Sequence, residues 1–342
     1  MDSIAKYKVG IAGCGLIAGG FEEDPLREHP CTHIGAFKTL QKTEVVAAAE
    51  INAEKLQRFS KRWGVKNTYT DYRKMVSKED IDILSVCTNT PSHADVVIAA
   101  AEAGVKCIFC EKPIAVNLKE ADEMIKICRK NGVILAVNHT RRWDSNYQNV
   151  KEMLLSGRIG EIKFATGYCN FRLLNSGTHL FDTLRYFFGN AEWVFGRIMN
   201  DDVDPGGYGV IGFKNKTHAF VDLTNNDYDI FEIDINGSAG RIKISGNGRI
   251  FELWSAKQSK NYADLKELYP EEFPRPAVVK NMMVAAAENM VDCIEKDEKP
   301  ICSGEDGRAA LEIVLAFHES HKKNMPIKLP LKNETLTVKT AK

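Results

Sequence analysis

The 342-residue sequence has no excess of either charge, with 46 Lys and Arg against 46 Asp and Glu. Such a surface has no net field to gather polyanions, so nucleic acid is not an expected partner. No run approaches the ~18 apolar residues that span a bilayer. The opening MDSIAKYKVGIAG lacks the apolar stretch and cleavage site of a secretory leader. The expectation is therefore a cytoplasmic protein with no membrane partner. Internal repeats and low-complexity tracts are also missing, which excludes solenoids and tethered arrays. The length instead suits two domains of roughly 100–200 residues each.

Paired cysteine spacing is scarce too. The nine cysteines are an odd count, scattered through apolar segments such as DILSVCTN and KCIFCEKP. Free core thiols in a reducing compartment fit that pattern better than a disulfide framework. Cys107-Ile-Phe-Cys110 has a metal-like spacing, but residues three apart on a strand point to opposite faces, so no metal is expected there. His29-Pro-Cys31-Thr-His33 could chelate in a loop; a solvated pair of loop histidines is the plainer reading.

The first 140 residues alternate apolar runs with amphipathic stretches. The runs are 7–13, 44–51, 81–89, 105–112 and 133–139, and helical patterns fall at 53–63, 92–104 and 117–132. Asn117 and Gly132 stand where caps belong. Strands apolar throughout and separated by single helices predict a doubly wound parallel α/β sheet covered on both faces. After a helix over 145–156 the period changes to two, at 161–169, 191–200, 208–215, 218–224, 231–237, 240–245 and 249–256. A mostly antiparallel, open-faced sheet follows from that alternation, closed by helices over 278–296 and 304–324. The expected domains are a Rossmann unit over 1–138, an α+β unit over 139–330 and a tail over 331–342.

The first predicted strand ends in Gly13-Cys-Gly15-Leu16-Ile17-Ala18, a G-x-G-x-x-A turn leading to a helix. Gly13 permits the turn, Gly15 lets backbone approach a pyrophosphate, and Ala18 lets helix pack on strand. The next strand ends in Glu50, placed to accept hydrogen bonds from the adenosine ribose and to repel a 2′-phosphate. Ile51 and Asn52 follow without an arginine, which favours NAD over NADP. Glu50 follows Gly15 by 35 residues, against about 20 in the usual motif. The excess fits an insertion over 20–31, which is either a tolerated surface loop or a flap over the cofactor or the active-site mouth.

Glu111-Lys112-Pro113 falls at the carboxyl edge of the sheet, where open α/β proteins bind ligands. Alone, a Glu–Lys pair there reads as a solvated surface feature. Together with the glycine turn, Thr90-Pro91-Ser-His93, Asn138-His-Thr-Arg141-Arg142-Trp-Asp144 and Gly177-Thr-His179-Leu-Phe-Asp182, it resembles the glucose–fructose oxidoreductase / inositol dehydrogenase (Gfo/Idh/MocA) family over about residues 7–330.

That resemblance implies hydride transfer between nicotinamide C4 and a hydroxyl-bearing carbon of a sugar, inositol or related polyol. It implies that Lys112 binds the reacting oxygen and that His179 carries a proton. A histidine with a pKa near 6.5 can take the hydroxyl proton near neutrality, and a partly buried lysine beside a positive ring can also serve. The sequence leaves the base open between them, and both roles need the two groups at one carbinol carbon.

Thr88, Thr90, Pro91, His93, Glu111 and Lys112 are expected along the cofactor, His93 either as a helix cap or beside the ribose. Asn138, Arg142, Asn175 and Asp182 are expected near substrate, with Asp182 placed to orient His179. Many family members have aspartate where this chain has Asn175, which shifts the proton relay toward His179 and Lys112. Asn175 also motivates the alternative of a dinucleotide sensor without turnover; imine reduction and dihydrodiol oxidation are other chemistries open to the scaffold. The antiparallel sheet, with aromatics on alternate positions, predicts a homodimer or homotetramer.

Overall fold

Two apolar periodicities build two sheets. The computed structural model describes residues 6–200, 202–225, 227–332 and 336–340. Residues 1–5 and part of the expected 331–342 tail lie outside the described residues. Along the chain come β1 (Tyr7–Ala12), α1 (His33–Thr39), β2 (Thr43–Ala49), α2 (Ala53–Trp63), β3 (Asn67–Tyr69), α3 (Tyr72–Lys78), β4 (Ile83–Val86), α4 (His93–Glu102), β5 (Cys107–Cys110), α5 (Leu118–Lys130) and β6 (Ile134–Val137).

These strands form one parallel sheet in the order β3-β2-β1-β4-β5-β6. That is the Rossmann order, and its topological switch lies between β1 and β4. Every residue of β4 and β5 is buried, as a strand covered on both faces requires. The helix ends carry the expected caps. The Asn117 side chain accepts from Glu120 N, and Gly132 takes φ +67° just beyond the last turn of α5.

The second run is α6 (Ser145–Leu155), β7 (Ile162–Cys169), α7 (Gly177–Phe188), β8 (Ala191–Ile198), β9 (Gly207–Phe213), β10 (His218–Leu223), β11 (Phe231–Gly237), β12 (Gly240–Ser245), β13 (Ile250–Gln258), β14 (Lys266–Glu271), α8 (Met282–Lys296), α9 (Gly304–Lys323) and β15 (Ile327–Lys328). Nine strands pair in the order β14-β13-β12-β11-β7-β10-β9-β8-β15. All pairs are antiparallel except β7 with β10. One face is apolar: Phe231, Ile233, Ile235, Ile242 and Ile244 are buried at every second position. α7 packs close to β7, where a Cβ on Gly167 would come 2.9 Å from Leu180. Phe181 of α7 stacks on Phe317 of α9 with centroids 5.3 Å apart.

The chain forms two compact units, and α8 returns to the first of them. One compact unit runs to Asp144 and includes Lys280–Arg308; the other comprises Ser145–Val279 and the chain from Ala309. The reason lies in α8, whose apolar stripe of Met283, Ala286, Met290 and Val291 is buried. Cys107 of β5 lies 3.6 Å from Met290, sulfur to sulfur. Among the described residues no helix is long and apolar enough to cross a membrane.

Candidate active site

The site is built at the carboxyl ends of β1, β2, β4 and β5. Gly13 has φ +88°, and a Cβ there would come 2.6 Å from the Cys87 carbonyl oxygen, so only glycine fits this turn. At Gly15 a Cβ would meet no protein atom within 4 Å. Leu16 is exposed, Ile17 half-buried and Ala18 fully buried. The helix expected after the glycine turn is interrupted. Gly19 and Gly20 both donate to Gly15 O at 3.3 Å, closing a single turn, and a short 3-10 segment (Gly20–Glu23) carries the chain outward.

Regular helix resumes at α1, where His33 N and Ile34 N donate to Ile17 O and Ala18 O at 3.1 and 3.0 Å. The 20–31 segment is thus an excursion within one helical stack, and its ends are sewn by backbone hydrogen bonds. Two adjacent glycines and two prolines explain why the chain leaves the helix there.

Glu50 stands directly behind β2 with both carboxylate oxygens engaged. Oε2 accepts from Cys14 N at 3.0 Å and Oε1 from Asn52 N at 3.0 Å. The acidic side chain is thereby fixed against the glycine turn, and each oxygen keeps a second lone pair for a hydroxyl. Local reading missed the cations of α2: Lys55, Arg58 and Arg62 line a cavity with Cys14, Gly15 and Leu16.

At the end of β5, Glu111 is only 7% exposed, so it is not the solvated ion pair that a Glu–Lys dipeptide suggests. Its Oε1 accepts from His33 Nε2 at 2.9 Å and from Asn138 Nδ2 at 2.6 Å. Its Oε2 accepts the backbone N–H of Lys112 at 3.2 Å. His33 Nδ1 lies 2.5 Å from Ser85 Oγ. Neither His33 nor Ser85 was expected here.

The sequence placed His33 in a solvated loop, yet it is fully buried on α1. The apolar HIGAF context was the signal available. Burial works against ionisation of both partners. The neighbouring Cys87 sulfur and the Glu111 carboxylate raise the His33 pKa nonetheless, and hydrogen bonding and charge from His33, with Lys112 and Asn138, lower that of Glu111. Both shifts favour the charged forms, and Glu111 Oε2 holds the backbone of Lys112.

His93 does not cap α4, whose N-cap shows no side-chain hydrogen bond. Its Nδ1 and Nε2 lie 2.9 Å from the carbonyls of Pro113 and Thr88, so it ties the β4 loop to the cis Lys112–Pro113 turn. Burial pushes its pKa down, against the carbonyls, which favour the cation. Thr90 and Pro91 form the 3-10 turn before α4. Two buried polar atoms here have no hydrogen-bond partner among the described residues: Thr88 Oγ1 and Asn138 Oδ1. Arg142 is engaged elsewhere, donating to Ile301 O at 3.2 Å and Asp306 Oδ1 at 3.0 Å. Both contacts tie it to the 301–306 segment.

In the second unit, α7 carries His179 half-buried and Asp182 buried on successive turns. Asn175 lies exposed in the turn before it, its N–H donating to Asp204 Oδ2 at 2.9 Å.

The residues present fit a dinucleotide. The open space beside Gly15 would admit a pyrophosphate, Glu50 keeps acceptor capacity beside the glycine turn, and the unsatisfied Thr88 hydroxyl offers a polar contact. Fold and site together define a nucleotide-dependent oxidoreductase. The model of the oxidoreductase family NAD-binding Rossmann fold matches residues 7–139, and that of its C-terminal alpha/beta domain matches 172–329. The chain belongs to the Gfo/Idh/MocA family of NAD-binding oxidoreductases.

It is similar to the myo-inositol 2-dehydrogenase of Thermotoga maritima, 26% identical across 94% of this chain and 98% of that one. The D-apiose dehydrogenase of Paraburkholderia graminis is 24% identical across 96% and 91% of the two chains. Among solved structures, the WlbA dehydrogenase of Bordetella pertussis in complex with NADH and UDP-GlcNAcA superposes with a TM-score of 0.78 at 21% identity. That match covers 96% of this chain and 100% of the other.

Proposed function

We propose that the chain transfers hydride reversibly between NAD and a hydroxyl-bearing carbon of a sugar, inositol or related polyol, with Lys112 and His179 as its catalytic residues. The bound dinucleotide supplies the hydride acceptor or donor. Lys112 holds the reacting oxygen and stabilises its developing negative charge, and His179 or Lys112 takes the hydroxyl proton. Asp182 orients His179, while Asn138 and Asn175 offer hydrogen bonds to further hydroxyls.

The observation that carries this reading is the buried Ser85–His33–Glu111–Asn138 network. It spends a carboxylate, an imidazole and an amide on fixing the backbone at residue 112, and such positioning of one lysine at a ligand-binding sheet edge is what alkoxide stabilisation needs. Names of relatives supply the substrate class: inositol and apiose are polyhydroxylated. The test is a screen of NAD with inositols, aldoses and nucleotide sugars, followed by absorbance of the reduced nicotinamide. Turnover with a member of that panel is expected; tight NADH binding without turnover on any of them would favour a sensor.

The outer face of the antiparallel sheet supports a homodimer or homotetramer. Phe164 and Phe220, on the adjacent strands β7 and β10, are 41% and 50% exposed and meet edge to face at 6.4 Å. Apolar area of this kind is covered in a stable protein by a second surface, and the family commonly pairs this face. Light scattering at micromolar concentration checks it; a monomer would overturn the assembly.

A further inference from the structure

The excursion over 20–31 carries a cluster that the dinucleotide site does not use. Glu22, His29 and Cys31 place one ligand atom each within 4.8 Å of one another. His29 Nδ1 lies 2.5 Å from Glu22 Oε2 and 3.9 Å from Cys31 Sγ. We propose that Glu22 Oε2, His29 Nδ1 and Cys31 Sγ bind a zinc ion, which fastens the excursion to the start of α1.

Three features of the chemistry point the same way. His29 Nε2 lies 3.0 Å from the Asp24 carbonyl oxygen, an acceptor only, so Nε2 carries the hydrogen. Nδ1 then faces a carboxylate oxygen at 2.5 Å, a gap that holds either a proton or, in its place, a metal ion. A backbone carbonyl on the far nitrogen is also the usual support of a metal-bound histidine, since it fixes the tautomer.

The second feature is the division of labour on Glu22. Oε1 accepts from Cys31 N at 2.8 Å, Thr32 N at 3.1 Å and Thr32 Oγ1 at 2.9 Å. That holds the carboxylate in place and leaves Oε2 turned toward His29. Thr32 caps α1, its side chain accepting from Gly35 N.

The third is the sulfur. A proton shared by His29 and Glu22 would satisfy those two groups and give Cys31 no part. Of the nine cysteines, eight are buried, and Cys31 alone is half-exposed. One thiol, one imidazole and one carboxylate form a donor set of intermediate softness that suits zinc rather than magnesium or calcium. Tetrahedral zinc with bonds of about 2.0–2.3 Å separates its ligand atoms by about 3.3–3.5 Å, so the two pairs that involve His29 Nδ1 adapt by less than about 1 Å each. Coordination sends the Cys31 proton to solvent, and water completes the fourth position on the exposed side.

The test uses the full chain, stripped with a chelator in a phosphine reductant and titrated with zinc by calorimetry and with cobalt by absorbance. Saturable binding is expected, with a thiolate-to-cobalt charge-transfer band that is lost in Cys31→Ser and in His29→Gln. Zinc should raise the unfolding temperature of the wild type and leave that of both variants unchanged. No saturable binding in the wild type, or a band that survives either substitution, overturns the site and leaves a proton shared between His29 and Glu22. Because the wild-type titration decides alone, a variant that fails to fold does not shield the proposal.

Discussion

Glu111 and His33, 78 residues apart in the chain, face each other at 2.9 Å between Oε1 and Nε2, both removed from solvent. One belongs to the end of β5 and the other to the restart of the interrupted first helix. Their pairing joins the glycine turn to the lysine of the expected chemistry.

Removing one partner should be costly. Glu111→Ala leaves a buried imidazolium uncompensated, and a loss of about 3–5 kcal/mol is expected in urea unfolding. A loss below about 1 kcal/mol would show that the pair is not charged.

The pair also fixes a pH window. The Glu111 pKa is lowered in the folded protein, so its contribution is present above the unfolded value of 4.5 and is lost as pH falls through the folded one. The His33 pKa is raised, so its contribution is full below 6.5 and is lost as pH rises toward the folded value. The stability advantage of wild type over Glu111→Gln should be greatest between those two values and shrink on both sides; an advantage independent of pH would contradict the assignment.

The two motif glycines should separate fold from cofactor. Gly13→Ala forces a side chain into φ +88° and against the Cys87 carbonyl, a loss of about 1–3 kcal/mol in stability. Gly15→Ala meets no protein atom within 4 Å, so its unfolding temperature should match wild type while NADH affinity, read by fluorescence titration, falls.

Glu50→Gln tests the cofactor choice. The amide oxygen can accept from only one of Cys14 N and Asn52 N, which the carboxylate serves through separate oxygens, and because the site is partly exposed the fold should persist. NAD affinity should fall about tenfold, the value of a lost charged hydrogen bond, and affinity for NADP should rise. Unchanged discrimination would move the choice to Lys55, Arg58 and Arg62.

Legibility in the sequence followed period and length. The strand runs of both sheets and the helix 53–63 stand out because each strand or helix repeats its own period over several residues. The three-residue β3 and the exposed edge strand β14 do not, being too short or too evenly polar. The glycine turn and Glu111-Lys112-Pro113 were visible as local motifs. His33 and Ser85 were not, since a buried network joins residues far apart in sequence and leaves no spacing to read. The return of α8 to the first unit was hidden for the same reason.

Lys112→Met, beside His179→Ala, bears most directly on the central claim, measured as single-turnover formation of NADH with the best polyol of the panel. Each substitution should slow the step by about two decades or more, with the dissociation constant for NADH nearly unchanged. A Lys112→Met protein that binds NADH normally and turns over at the wild-type rate would contradict the account.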